Sequence, residues 1–249
     1  MSKVSKDGGV VTVLANESGN AKGLAVDGTH VYWAAQSANT LWRVPIGGGA
    51  AQVFAGGQPS VRHVALTDDD VYWTTNVDPG SIMHRSKTGG VATAVASGQD
   101  QPAAVAVDAT HLYWTNGGTG EVMRCALSAC IPEQLASGPG TPLRIFVDDS
   151  HVFWTTYLAE TALQVPKVGG NPTVLATDVG EIVGVVADAG FAYMAARFTN
   201  PGQILRVPVG GGPAVVLADQ QGDPAGVAQD DTYLYWANAT DGTVMKLAK

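Results

Sequence analysis

Short apolar runs of four to six residues, each cut off by Gly, Asp or Pro, recur along the whole chain, and a helical spacing of apolar residues appears nowhere at length. The runs alternate with polar residues or are wholly apolar, and they are rich in Val, Leu and aromatics. That pattern predicts β-strands. The strands return in a fixed frame. A small-aliphatic run such as 23–27 (GLAVD) or 104–108 (AVAVD) is followed by a four-residue turn and then by a strand centred on an aromatic pair. A polar loop leads to a third run such as 41–45 (LWRVP), 123–127 (MRCAL) or 204–208 (ILRVP). A glycine cluster and a fourth run such as 173–176 (TVLA) or 215–218 (VVLA) finish the unit.

The aromatic pairs are Tyr32-Trp33, Tyr72-Trp73, Tyr113-Trp114, Phe153-Trp154, Tyr193-Met194 and Tyr235-Trp236, at spacings of 40, 41, 40, 40 and 42. Four strands every ~40 residues is the signature of a propeller blade, because one such sheet cannot bury both faces unless neighbours stack on it. The predicted class is all-β: a six-bladed β-propeller with four antiparallel strands per blade, forming a single domain over residues 1–249. The last unit stops after its third run, 244–249 (VMKLAK), whereas the chain opens on Asp7-Gly8-Gly9 and 10–15 (VVTVLA), a turn and fourth run without a blade of their own. Residues 10–15 are therefore expected to complete the C-terminal blade and close the ring, leaving no unpaired edge.

The frames VYWAA, VYWTT, LYWTN, VFWTT, AYMAA and LYWAN resemble the YWTD repeats of low-density-lipoprotein-receptor-type propellers, with a looser likeness to NHL-type six-bladed propellers. The resemblance covers the whole chain. It departs in one respect: Ala35, Thr75, Asn116, Thr156, Ala196 and Asn238 stand where the family motif ends in aspartate. Such propellers are typically extracellular ligand-binding modules, and the resemblance implies that role here.

Composition narrows the partners. The net charge of −8 argues against nucleic acid, since phosphate binding needs a surplus of Lys and Arg. No apolar run approaches the ~20 residues that span a bilayer, so membrane insertion is not expected. The first residues lack the apolar stretch of a secretory leader, which suits a mature extracellular or periplasmic domain, with the cytoplasm as the alternative. Cys125 and Cys130 are too few thiols for a structural zinc site and lack the Cys-x-x-Cys spacing. A small disulfide is the favoured reading, and it points to an oxidising compartment. A monomer without cofactor or metal is expected.

Features that repeat are assigned to folding. Asp27, Asp108, Asp148, Asp188 and Asp230, with Thr67 in the second unit, each open a tight turn five residues before an aromatic pair. His30, His111 and His151 recur at one position on separate blades and cannot converge on a metal.

Function must come from positions that differ between units. The loops after the aromatic strands offer Gln36, Asn39, Asn76, Asp78, Asn116, Tyr157, Glu160, Arg197, Asn200, Asn238 and Asp241. The starts of the innermost strands offer Lys22, Arg62, His63 and Arg144, a local inversion of sign in an acidic protein. The ligand-binding candidates are Lys22, Arg62, His63, Arg144, Arg197, Asn116, Tyr157 and Asn238. They suit a non-enzymatic module that holds a protein, peptide or glycan, an anionic one among them. The competing structural reading pairs these cations with Asp78, Asp100, Glu181 or Asp223. Two other functions stay open. One is a metal-dependent hydrolase or lactonase of the gluconolactonase type, for which Asp100, Glu181 and Asp223 are the nearest oxygen ligands, and no catalytic residue is assigned. The other is a structural repeat domain of a larger surface protein.

Overall fold

A computed structural model describes residues 1–16, 19–157, 159–197 and 201–249, so Asn200 lies outside the described residues. The chain falls into two compact units, Met1–Ala109 and Thr110–Lys249.

In the first unit β1 (Ser2–Lys3) pairs antiparallel with β2 (Thr12–Val13). A four-stranded meander follows, made of β3 (Ala21–Val26), β4 (His30–Ala35), β5 (Thr40–Pro45) and β6 (Gln52–Ala55). A second meander contains β7 (Val61–Leu66), β8 (Asp70–Thr75), β9 (Gly80–Ser86) and β10 (Gly89–Gln99), and β11 (Pro102–Val107) ends the unit. The helical content among the described residues is a single 3₁₀ turn, Gln36–Ala38.

The second unit opens with β12 (His111–Asn116), β13 (Glu121–Ala126) and β14 (Glu133–Ser137). Two complete meanders come next: β15 (Thr141–Val147), β16 (His151–Tyr157), β17 (Ala162–Pro166), β18 (Thr173–Ala176), then β19 (Glu181–Ala187), β20 (Phe191–Arg197), β21 (Gly202–Pro208), β22 (Val215–Gln221). The last sheet has three strands, β23 (Pro224–Gln229), β24 (Tyr233–Asn238) and β25 (Thr243–Ala248).

Every repeat thus folds as the apolar pattern predicts, and its aromatic strand carries the core. Trp73, Trp114, Trp154 and Met194 are wholly buried and Trp33 and Trp236 nearly so. Tyr32 and Phe54 of the first meander pack on Val61, Val71 and Trp73 of the second. Val183 and Tyr193 do the same with Leu234 and Trp236 in the second unit. Each such side chain contributes roughly 1.5–3 kcal/mol of burial.

The repeated polar residues serve the same frame. Asp27 Oδ1 accepts from the backbone N–H of Thr29 and His30, both at 2.8 Å, and Asp148, Asp188 and Asp230 cap their turns alike. His30, His111 and His151 turn Nδ1 to the hydroxyl of the residue before them, at 2.8–2.9 Å. Two glycines let inner strands touch through their backbones. A Cβ on Gly23 would lie 2.6 Å from His63 Cα, and one on Gly184 would lie 2.7 Å from Val227 N.

The N-terminal fourth run has a partner within its own unit. The Met1 amino group donates to Ala15 O at 2.6 Å, and Leu14 N–H donates to Met1 O at 2.9 Å. Leu14 and Ala15 are buried against Trp33 and Val44. Lys3 Nζ reaches Ile46 O at 2.6 Å, as the Arg43 guanidinium reaches Lys87 O at 3.2 Å. Ser2–Lys3 therefore behaves as a third strand toward β2. In the other unit β25 stays largely exposed, with Val244 at 62%.

Candidate functional site

The structure divides the predicted cations into two kinds. Lys22 and Arg62 stand at the same place in β3 and β7, five residues before Asp27 and Thr67. Because Gly23 brings these strands into backbone contact, the two residues are neighbours. Lys22 is exposed. Arg62 is half-buried, and that burial pushes its guanidinium below its ordinary value. Arg62 Nη1 donates to Asn76 Oδ1 at 3.0 Å. Asn76 is itself fixed, since its Nδ2 donates to Gln101 O at 3.0 Å and Pro102 O at 3.3 Å. Around them Gln36 Nε2 donates to Ser60 Oγ at 3.0 Å, and Ser60 N–H to Asn39 Oδ1 at 2.8 Å. No carboxylate among the described residues pairs with Lys22 or Arg62, so Asp78 and Asp100 do not neutralise them.

His63 follows Arg62 but faces the structure. Its Nδ1 lies 3.1 Å from Val105 O and 3.4 Å from Val105 N, and its N–H donates to Thr74 Oγ1 at 3.1 Å. Arg144 occupies the equivalent place in β15 and does the equivalent job, with Nε donating to Val183 O at 3.0 Å. Both fasten one inner strand to the next, where the first and fifth repeats use the bare backbone of Gly23 and Gly184.

Arg197 ends β20 opposite Glu181, and its fork holds both carboxylate oxygens, Nε to Oε2 at 2.9 Å and Nη2 to Oε1 at 3.1 Å. The Glu181 bonds push the guanidinium above its ordinary value. Tyr157, at the end of β16, is 46% exposed. Asn116 and Asn238, at the ends of β12 and β24, are both buried. The structure therefore brings the strand positions of Lys22 and Arg62 together, sets Tyr157 and Arg197 at the ends of β16 and β20, and puts His63 and Arg144 to work between strands. Cys125 and Cys130 form a disulfide that ties the end of β13 to the following turn.

Two sets of residues escaped the sequence reading. Trp73 Nε1 donates to Gln58 Oε1 at 2.9 Å, and Trp236 Nε1 donates to Gln221 Oε1 at 2.8 Å. The signal was available: each Gln stands fifteen residues before its Trp. In the fourth repeat that place is Pro139, which carries no side-chain acceptor, and the buried Trp154 indole N–H lacks one. The second set holds the turn aspartates. Lys87 Nζ pairs with Asp27 Oδ2 at 2.8 Å, and Lys249 Nζ with Asp188 Oδ2 at 3.5 Å. Burial alone would raise the Asp27 carboxyl, but Lys87, Thr29 and the His30 N–H outweigh it and hold the group well below the usual carboxylate range.

Among the described residues no group of three or more His, Cys, Asp or Glu could hold a metal ion. No helix of the described residues is long and apolar enough to cross a membrane.

No protein-family model and no curated protein matches the sequence. Solved structures do. The nidogen propeller of a nidogen–laminin complex matches at 21% identity and TM-score 0.69, covering 89% of each chain. Streptogramin B lyase matches at 12% identity and TM-score 0.75, over 93% of this chain and 84% of that one. The computationally designed Ika8 protein matches at 15% identity and TM-score 0.68, over 94% and 73%. At these identities the likeness establishes the fold alone, which is that of a six-bladed β-propeller.

Proposed function

We propose that this propeller is a non-enzymatic recognition module that holds an anionic group of a protein, peptide or glycan partner at Lys22 and Arg62. The observation that carries the reading is Arg62: a half-buried guanidinium aligned by the Asn76 amide and left without a carboxylate among the described residues. Sequestering a cation from water without an opposite charge is costly. A site shaped for a carboxylate or sulfate on the ligand explains why the charge is there. The nidogen likeness is consistent with protein recognition, and the Cys125–Cys130 disulfide supports an oxidising compartment. The test is a melting-temperature screen with glutamate-rich peptides and sulfated oligosaccharides. A rise that vanishes in Lys22→Ala/Arg62→Ala supports the reading, and a rise that survives sinks it.

The streptogramin B lyase likeness keeps an enzyme in view. A metal-dependent hydrolase needs converging ligands, and the described residues offer no cluster of three. Metal analysis of the purified protein showing a stoichiometric divalent ion would favour that second reading.

We also propose that residues 1–249 act as one domain in which residues 10–15 exchange their pairing with β1 for β25 and so complete the three-stranded last sheet. The open third strand with exposed Val244 and Met245 supports this. The pairing of Trp42 with Val53 in the first meander makes Val13 and Met245 the matching positions. A Val13→Cys/Met245→Cys variant should then form a cross-link visible by mass before and after reduction, and its absence would count against closure.

A further inference from the structure

We propose that the end of the last sheet around Asp223 and Asn238 is a subsite for a hydrogen-bond-donating cation, an alkylammonium or guanidinium group on the ligand. It goes beyond the anion reading and does not rest on it, since the residues differ.

The case begins at Trp236, whose indole nitrogen can only donate. It donates to Gln221 Oε1 at 2.8 Å, while Gln221 Nε2 donates to Asp219 O at 2.6 Å. The Gln221 amide is thereby fixed, and it dictates the next group. Asn238 must turn its Nδ2 toward Gln221 Oε1 at 3.2 Å, with Thr243 Oγ1 at 3.3 Å as the second acceptor. Asn238 Oδ1 is left pointing away, in a residue 4% exposed, with no donor among the described residues.

Asp223 sits beside it. Pro224 is in register with Asn238, the Asp223 carbonyl accepts from Ala239 N–H at 3.0 Å, and the Asp223 N–H donates to Gln221 O at 3.0 Å. Asp223 holds a left-handed backbone with φ 58°. Its Oδ1 is shut off from water and meets no donor among the described residues. The cation that could answer it, Arg197, commits Nε and Nη2 to Glu181 instead. Asp223 acts electrostatically on that same guanidinium.

Two acceptor oxygens on residues at the same end of paired strands, both withdrawn from water and without donors among the described residues, are rare in folded proteins. An ammonium satisfies both at once and cancels the charge.

The probe is Nα-acetyl-lysine methylamide, with the uncharged norleucine analogue as control, titrated into the full chain by calorimetry and followed by melting temperature. Saturable binding of the lysine analogue alone is expected. Asp223→Asn should weaken it at least tenfold while melting at or above wild type without ligand, since it removes a carboxylate whose Oδ1 is buried without a donor among the described residues. Asn238→Asp should tighten it, which keeps the idea testable if Asp223→Asn fails to fold. Lys22→Ala/Arg62→Ala should leave it unchanged, so failure here and failure of the anion reading are separable. Equal binding of both analogues, no binding of either because water fills the site, an unaffected Asp223→Asn, or an Asp223→Asn that melts lower would each overturn the proposal.

Discussion

The two units use cations at the same end of their sheets in opposite ways. In the first, Lys22 is exposed and Arg62 meets a neutral amide. In the second, Arg144 binds a main-chain carbonyl and Arg197 is locked in a two-point pair with Glu181. One repeated frame thus places similar residues in similar positions, yet local partners decide whether the charge is consumed by the fold or remains available to a ligand. Residue type alone does not distinguish a binding cation from a structural one. The partner does.

The largest effect that would test this contrast is the removal of Arg197. Arg197→Ala strands the Glu181 carboxylate, whose side chain is 10% exposed, and should destabilise the protein by about 3 kcal/mol in urea unfolding. Arg62→Met keeps the bulk and removes a charge with no carboxylate partner, so its melting temperature should match or exceed wild type. Equal losses in both variants would erase the distinction between the units.

A smaller effect belongs to the turn aspartates. Asp27→Asn should cost about 1–2 kcal/mol at neutral pH, from the Lys87 pair and one turn bond. The sign with pH follows from the depressed carboxyl. Its stabilisation is fully present above the unfolded value near 4 and is lost as pH falls toward the folded value. Acid titration of unfolding free energy should therefore show a shallower loss below pH 4 in Asp27→Asn than in wild type. Parallel curves would contradict the pairing.

Smaller again, Arg144→Met should cost about 1 kcal/mol by losing its bond to Val183 O. The smallest effect is a gain. Pro139 stands fifteen residues before Trp154, where other repeats place the indole acceptor, and the buried Trp154 Nε1 has none. Pro139→Gln should supply the missing acceptor and raise stability by about 0.5–1 kcal/mol. A lower melting temperature would show that the slot cannot admit the side chain.

Most of the fold was legible because it repeats. The Tyr-Trp frame, the turn aspartates and the glycine clusters recur every ~40 residues, and backbone geometry makes the same demand each time. The candidate site was legible only as a list. Arg62, His63 and Arg144 look alike as charged residues opening inner strands, but His63 and Arg144 are turned toward Val105 and Val183 by strand-to-strand packing. Arg197 looked like a ligand residue until Glu181, sixteen positions earlier, met it across the sheet. The pairing of Ser2–Lys3 with Thr12–Val13 was not legible, because two residues are too short to register as a strand in the pattern.

The most direct test is calorimetric titration of a glutamate-rich peptide and a sulfated tetrasaccharide into wild type, Arg62→Met and Arg144→Met. The account predicts that at least one ligand binds wild type, that Arg62→Met weakens it tenfold or more, and that Arg144→Met leaves the affinity within about twofold of wild type. Binding of neither ligand, an unchanged affinity in Arg62→Met, or an equal loss in both variants would contradict it.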